Sequence, residues 1–142
     1  MSTPIDHNKP IIEEFRANAG TVGGHFAGKT LLLLHTVGAR TGLERVNPVA
    51  YVLDGECFVV VASKGGAPTN PGWYHNLLAH PVITVEVGVE QFPVVASVAP
   101  EPERIRLYDM MIAMLPVFAE YRWRTSRVIP VIILRREKGK AT

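Results

Sequence analysis

The sequence predicts a mainly β fold with some α, a small antiparallel barrel with a few flanking helices, and three observations predict it. Apolar runs of strand length, among them LLLLHTV (31–37), VITVEV (82–87) and VIPVIILRR (128–136), succeed one another across short turns. Helical periodicity surfaces at only a few points. The regular alternation of strand and helix that builds a doubly wound parallel sheet is absent. With 142 residues, 47% of them hydrophobic and 20% charged, the chain suits one folded domain spanning 1–142 without internal repeats.

Taken in order, PIIEEFRANA places Ile11, Ile12, Phe15 and Ala19 at roughly helical spacing. Pro10 suits a first helical position and Gly20 a C-cap, so a helix is expected over about 10–19. It reads as a lid on a core, with contact to a membrane surface through its narrow apolar face as the alternative. GGHFAGKT (23–30) matches the letters of a phosphate-binding P-loop, but a helix precedes it and a strand follows, the reverse of what such a loop needs. A first strand, 31–37, ends at the GARTG turn. The segment 44–54 alternates as a second strand with Pro48 near an edge, and Asp54-Gly55 signals a hairpin into 56–63. Asn70 is an N-cap candidate and Pro71 a first helical residue for a short helix that stops before His80-Pro81. Strands 82–87 and 91–98 flank Gly88. EPERIRLYDMMIAML (101–115) predicts an amphipathic helix with Ile105, Tyr108, Met111, Ile112 and Leu115 on its apolar side, interrupted by Pro116. An aromatic and basic segment precedes the last strand, 128–136, and 137–142 reads as a fraying tail.

Charge and cysteine usage narrow the function classes. A formal charge of +2 and a pI near 8.9 permit an anionic ligand but lack the clustered Lys and Arg of a nucleic-acid binder. The single cysteine, Cys57, excludes an internal disulfide and reads as a packed strand thiol in a reducing setting. MSTPIDHNKP has neither the basic start nor the apolar centre of a signal peptide, and no apolar run is long enough to cross a bilayer. These features predict a cytoplasmic protein, at most peripheral to a membrane. The histidines lack metal-ligand spacing, and no nucleophile elbow is present, so neither metal nor acyl-transfer chemistry is expected.

What remains centres on VASKGGAPTNPGWYHN (61–76), where a strand runs into a glycine-rich loop and then a helix. Lys64 beside glycines whose backbone can approach a ligand closely suggests an anion site. Trp73 and Tyr74 offer walls for a planar ring, or simply core. Arg40 and Arg45 bracket the GARTGLER turn and can converge on a phosphate or carboxylate, although spacing alone favours two solvated charges.

Together the stretches LLLLHTVGARTGLERVNP, VVASKGGAPTNPGWYHNLLAHP and RWRTSRVIPVIIL resemble the deazaflavin-dependent nitroreductase family, whose members use coenzyme F420 (8-hydroxy-5-deazaflavin) in an FMN-binding-like split β-barrel. The resemblance covers roughly 31–134. It implies that Arg40, Thr41, Arg45 and Lys64 meet the coenzyme's phosphate and acidic tail, while Ala62, Ser63, Gly65, Gly66, Asn70, Pro71, Trp73 and Tyr74 line the deazaflavin and its linker. It further implies hydride transfer from the reduced deazaflavin to a small-molecule acceptor, quinone-like or nitroaromatic, with Ser63 a hydrogen-bond donor near the ring and Tyr121 on the substrate side. The nitroimidazole-activating member has tyrosines at the positions matched by Ala50, Leu115 and Phe118, leaving Tyr121 as the retained phenol. A more apolar acceptor pocket is therefore implied, favouring quinones over bicyclic nitroimidazoles. Rival readings are an FMN, haem or biliverdin protein of the same fold, or a carrier or sensor that holds F420 without turnover. The oligomeric expectation is monomer or homodimer.

Overall fold

In a computed structural model of the chain, the described residues are 8–20 and 30–137. Helix α1 (Lys9–Ala17) comes first, followed by β1 (Leu31–Val37), β2 (Glu44–Ala50), β3 (Val52–Asp54) and β4 (Cys57–Val61). A 3₁₀ turn at Lys64–Gly66 leads to α2 (Gly72–Ala79), then β5 (Val82–Val87), β6 (Glu90–Val98), α3 (Glu103–Met114), α4 (Val117–Arg124) and β7 (Val131–Arg136). The P-loop-like 23–29 and the tail from 138 lie outside the described residues. Glu137, placed by the sequence in the fraying tail, donates its backbone N–H to Pro93 O at 3.0 Å.

The strands form one sheet in the order β2-β1-β5-β6-β7-β4-β3, antiparallel throughout. The two terminal strands of that order are halves of the single strand expected over 44–54. Ala50 pairs with Leu31 of β1, and two residues later Val52 pairs with Val59 of β4. Between them Tyr51 gives its N–H to Thr30 O and leaves the ladder. One segment therefore stitches both ends of the sheet, curling it into a split barrel and removing most of its exposed edge. Pro48 lies in β2, which pairs only through β1, where a missing N–H does least harm.

The near-continuous apolar runs follow from burial on both strand faces. Along β1, Leu32 and Leu34 point into the barrel with Val60, Ala62, Ile132 and Leu134, while Leu31 and Leu33 face outward under Phe15 of α1. Ile11 and Ile12 pack against the same patch, so the apolar face of α1 covers β1. Among the described residues no helix is long and apolar enough to cross a membrane. Val59, Val61 and Val131 likewise face outward, against Leu107, Tyr108 and Met111 of α3 and Phe118 of α4.

That packing corrects the predicted face of α3. Ile105 is 48% exposed, and Leu107, which the periodicity did not select, is fully buried. The buried stripe is rotated toward Leu107, Tyr108 and Met111 because these pack on Val59, Val61 and Val131 of the sheet, and the Tyr108 hydroxyl, donating to Phe118 O at 2.6 Å, ties the helix to α4. The last strand begins at Val131 rather than 128, since Pro130 has no N–H and contributes only its carbonyl, to Ala62 N–H.

Candidate functional site

A cleft of about 1410 Å³ opens between α1, the β1–β2 turn and the start of α2. Its size exceeds the roughly 300–1,000 Å³ of compact ligand pockets, which suits an extended ligand better than an isolated ring. Arg40, Thr41, Arg45, Lys64, Pro71 and Trp73 line it, joined by Lys9 and Arg16 of α1, which the motifs did not indicate.

The turn carrying Arg40 is held by its own backbone and by α2. Gly38 N–H donates to Leu43 O and Gly42 N–H to Gly38 O, while Thr41 Oγ1 accepts the Leu43 N–H at 3.2 Å. Asn76 then fastens the turn to the helix: its Oδ1 accepts the Ala39 N–H at 2.9 Å, and its Nδ2 donates to Oγ1 of fully buried Thr36 at 3.1 Å.

On the other side, the chain leaving β4 enters left-handed backbone at Lys64 (φ 48°), Gly65 (φ 63°) and Gly66 (φ 81°). This conformation turns the loop sharply and exposes Lys64, whose Nζ reaches Thr69 Oγ1 at 3.2 Å. Ser63, just before it, is only 7% exposed. Asn70 does not cap α2 as the sequence predicted; its Oδ1 accepts from Arg127, and Pro71 occupies the cap position. Arg127 also donates to the carbonyls of Ala62, Ser63 and Ala67.

The charge distribution marks this cleft off from the rest of the surface. Arg104, Arg106, Arg122, Arg124 and Arg136 each have a carboxylate partner. Lys9, Arg40, Arg45 and Lys64, all in the cleft lining, have none among the described residues; elsewhere only Arg127 and Arg135 share that condition. Glu13 and Glu44 also line the hollow, but the cations outnumber them, and the positive excess suits an anion.

At the α1 edge, Arg16 binds Glu86 of β5 through two bonds of 3.0 and 2.7 Å. His35 stands between carboxylates, Nδ1 2.8 Å from Glu44 and Nε2 2.5 Å from Glu86. Hydrogen bonds from Arg16 hold the Glu86 carboxyl below its usual value of 4.5, against the opposing effect of burial, and His35 adds to the lowering. A carboxyl whose folded-state pKa is depressed stabilises the fold above its unfolded value and loses that contribution as pH falls through the folded one. Acidification below 4.5 should therefore loosen α1 before the barrel melts. Glu86→Gln should lower stability at neutral pH by roughly 1 kcal/mol and abolish this selective acid response. Amide exchange over 9–17 measured at neutral and acid pH checks both outcomes.

The proposed acceptor-side residues gather elsewhere. Ala50, Leu115 and Tyr121 pack around the cluster containing Phe118, which is itself 8% exposed and edge-to-face with Tyr108 and Tyr121. Phe118 is thus a core residue, whereas Leu115 and Tyr121 keep some surface. The glycine-rich loop and α4 meet at Gly66, where an added Cβ would lie only 2.8 Å from Tyr121 O.

The sequence model of the F420H(2)-dependent quinone reductase family matches residues 9–136. The chain belongs to this family. It is 41% identical over 126 residues to an F420H(2)-dependent quinone reductase of Mycobacterium tuberculosis, covering 86% of this chain and 85% of that protein. Among solved structures it resembles an F420-H2 dependent reductase, FDR-A, with 34% identity and a TM-score of 0.69 over 80% of this chain and all of the other. A second solved relative, described as a domain-swapped dimer, is 32% identical with a TM-score of 0.71 over 90% of this chain and 94% of its own.

The residues present fit the family's coenzyme. Its phosphate and acidic tail call for cations not already held in ion pairs, which Arg40, Arg45, Lys64 and Lys9 supply, and its size calls for a large cleft. Ala62 and Gly66 are buried, and Tyr74 leans on the barrel interior, so these members of the motif shape the loop and core rather than the cleft wall. Asn76 and Arg127 lay inside the family's sequence signature, but nothing local marked either as the bolt it proves to be.

Proposed function

We propose that the protein is an F420H2-dependent oxidoreductase that holds the reduced deazaflavin in this cleft and passes its hydride to a quinone-type acceptor. The observation that carries the reading is the presence of Lys9, Arg40, Arg45 and Lys64, all without ion pairs among the described residues, in the lining of one large hollow. When bound, the coenzyme supplies the hydride donor itself. The chain's part is to anchor, orient and shield.

Arg40 and Arg45 hold the anionic tail from the β1–β2 turn, and Lys64 holds it from the loop side. The hydroxyl of Ser63, at the root of that loop, donates a hydrogen bond toward the ring. Tyr121, stacked edge-to-face on Phe118 with its rings 5.1 Å apart and lying beneath the Arg124 guanidinium, orients the acceptor. The apolar surroundings provided by Ala50 and Leu115 favour a quinone over a bicyclic nitroimidazole.

Titrating the purified protein with F420, FMN and haem tests the coenzyme, and stopped-flow oxidation of bound F420H2 by menadione tests turnover. Binding of FMN alone would sink the reading, and F420 binding without menadione-dependent reoxidation would make the protein a carrier. Arg45→Ala and Lys64→Ala should each weaken F420 binding by about 1.5–3 kcal/mol, through loss of charge-assisted hydrogen bonds, and flatten its salt dependence.

A further inference from the structure

Arg127 stands behind the loop 62–70 and spends its donors on it. Nη1 reaches Ala62 O at 3.1 Å and Asn70 Oδ1, Nη2 reaches Ser63 O at 2.7 Å, and Nε reaches Ala67 O at 3.1 Å. All these acceptors are neutral. No carboxylate among the described residues pairs with it: Glu101 is taken by Arg104, Asp109 by Arg122 and Glu120 by Arg124. A half-buried cation without a counter-ion is costly, and burial pushes its pKa down. The contacts also have an unusual reach, since one side chain near the C-terminus orders a loop 57–65 residues earlier.

Hydrogen bonding alone does not call for a charge at this place. The segment it grips carries Ser63 and Lys64 and runs on to Pro71, and Lys64 and Pro71 stand in the wall of the anion cleft. We infer that Arg127 is a positioning residue of the coenzyme site. It locks the carbonyls of 62, 63 and 67 on the rear of the loop, which leaves Ser63 and Lys64 aimed forward, and it lends the cleft a fixed positive charge that only the bound anion neutralises. The inference rests on the coenzyme reading above, and it adds a residue that does not line the cleft.

The test compares wild type with Arg127→Lys, which keeps the charge and loses the fork, and Arg127→Gln, which keeps polarity and loses the charge. In the free proteins, amide exchange across 62–70 should quicken in both variants while the barrel strands stay protected. In F420 titrations, Arg127→Lys should raise Kd about tenfold and Arg127→Gln about a hundredfold, the latter with a shallower salt dependence. Turnover at saturating F420H2 should change less than the Kd in either. Equal affinities for the lysine and glutamine variants would overturn the charge role, and unaltered exchange at 62–70 would overturn the clamp. If Arg127→Gln does not fold, the lysine variant's Kd and exchange decide: wild-type values in both overturn the inference. Failure of the wild type to bind F420 at all would instead strike the coenzyme reading, and the exchange comparison would still decide the clamp.

Discussion

Gly66→Ala destabilises the fold by about 2–4 kcal/mol in urea titrations and weakens F420 binding, whereas Gly65→Ala costs about 1 kcal/mol. Both residues sit in left-handed backbone, at φ 81° and 63°, so both substitutions incur the strain that an L side chain meets there. Only Gly66 is also crowded. A Cβ at Gly66 would lie 2.8 Å from Tyr121 O, 2.8 Å from Arg124 Cβ and 3.2 Å from Tyr121 Cα, while one at Gly65 meets nothing within 4 Å. Two of those three contacts are with the backbone of α4, which cannot rotate aside. Either the loop lifts, carrying Lys64 away from the cleft, or α4 shifts, moving Tyr121. The predicted result is weaker coenzyme binding together with a raised acceptor KM. A Gly66→Ala protein as stable and active as Gly65→Ala would show that α4 does not bear on the loop.

Asn76→Leu is expected to cost about 2–3 kcal/mol, because it orphans the Ala39 N–H and strips buried Thr36 of its donor in one change. The loss should also reach the ligand: with the bolt gone, the turn carrying Arg40 no longer moves with α2, and F420 affinity should fall although no coenzyme-contacting cation has been altered. Asn76→Asp separates the two consequences. Its carboxylate can accept both the Ala39 N–H and a rotated Thr36 hydroxyl, so stability should stay within about 1 kcal/mol of wild type. The same carboxylate stands in a cleft lined by Arg40 and Arg45, and should neutralise part of their field. Near-normal stability with at least severalfold weaker F420 binding is the expected pair of results. Stability as low as that of the leucine variant would mean that Thr36 cannot turn its hydroxyl.

Much of the fold was legible because its determinants are local. The Asp54-Gly55 hairpin, the helix after Pro71 and the two-faced apolar run of 31–37 each depend on residues within a turn or strand of one another. Arg40, Arg45 and Lys64, three of the cations lining the cleft, fall in stretches that the sequence singles out, the GARTGLER turn and 61–76. The face of α3 was not, because Ile105 and Leu107 are equally apolar and only the sheet beneath decides which is covered. Nor was the side-chain partner of Asn70: its position before Pro71 is a sound capping signal, but a guanidinium from 57 residues away outbids a helix N–H for the same oxygen.

By itself, then, the sequence determined the antiparallel strand succession, the short helices between strands, the family and its coenzyme, since turn chemistry, alternation and a long unusual signature all act over short spans. Only the tertiary structure decided that the single strand expected over 44–54 divides at Tyr51 into β2 and β3 and closes the sheet on itself, that α1 contributes Lys9 and Arg16 to the cleft, and that Asn76 and Arg127 fasten the segments on either side of it. The physical reason is the same in each case. Closure, charge convergence and side chain-to-backbone bonds between residues 37–65 apart are set by where the curled sheet brings distant segments together, and no local pattern of residues encodes that meeting.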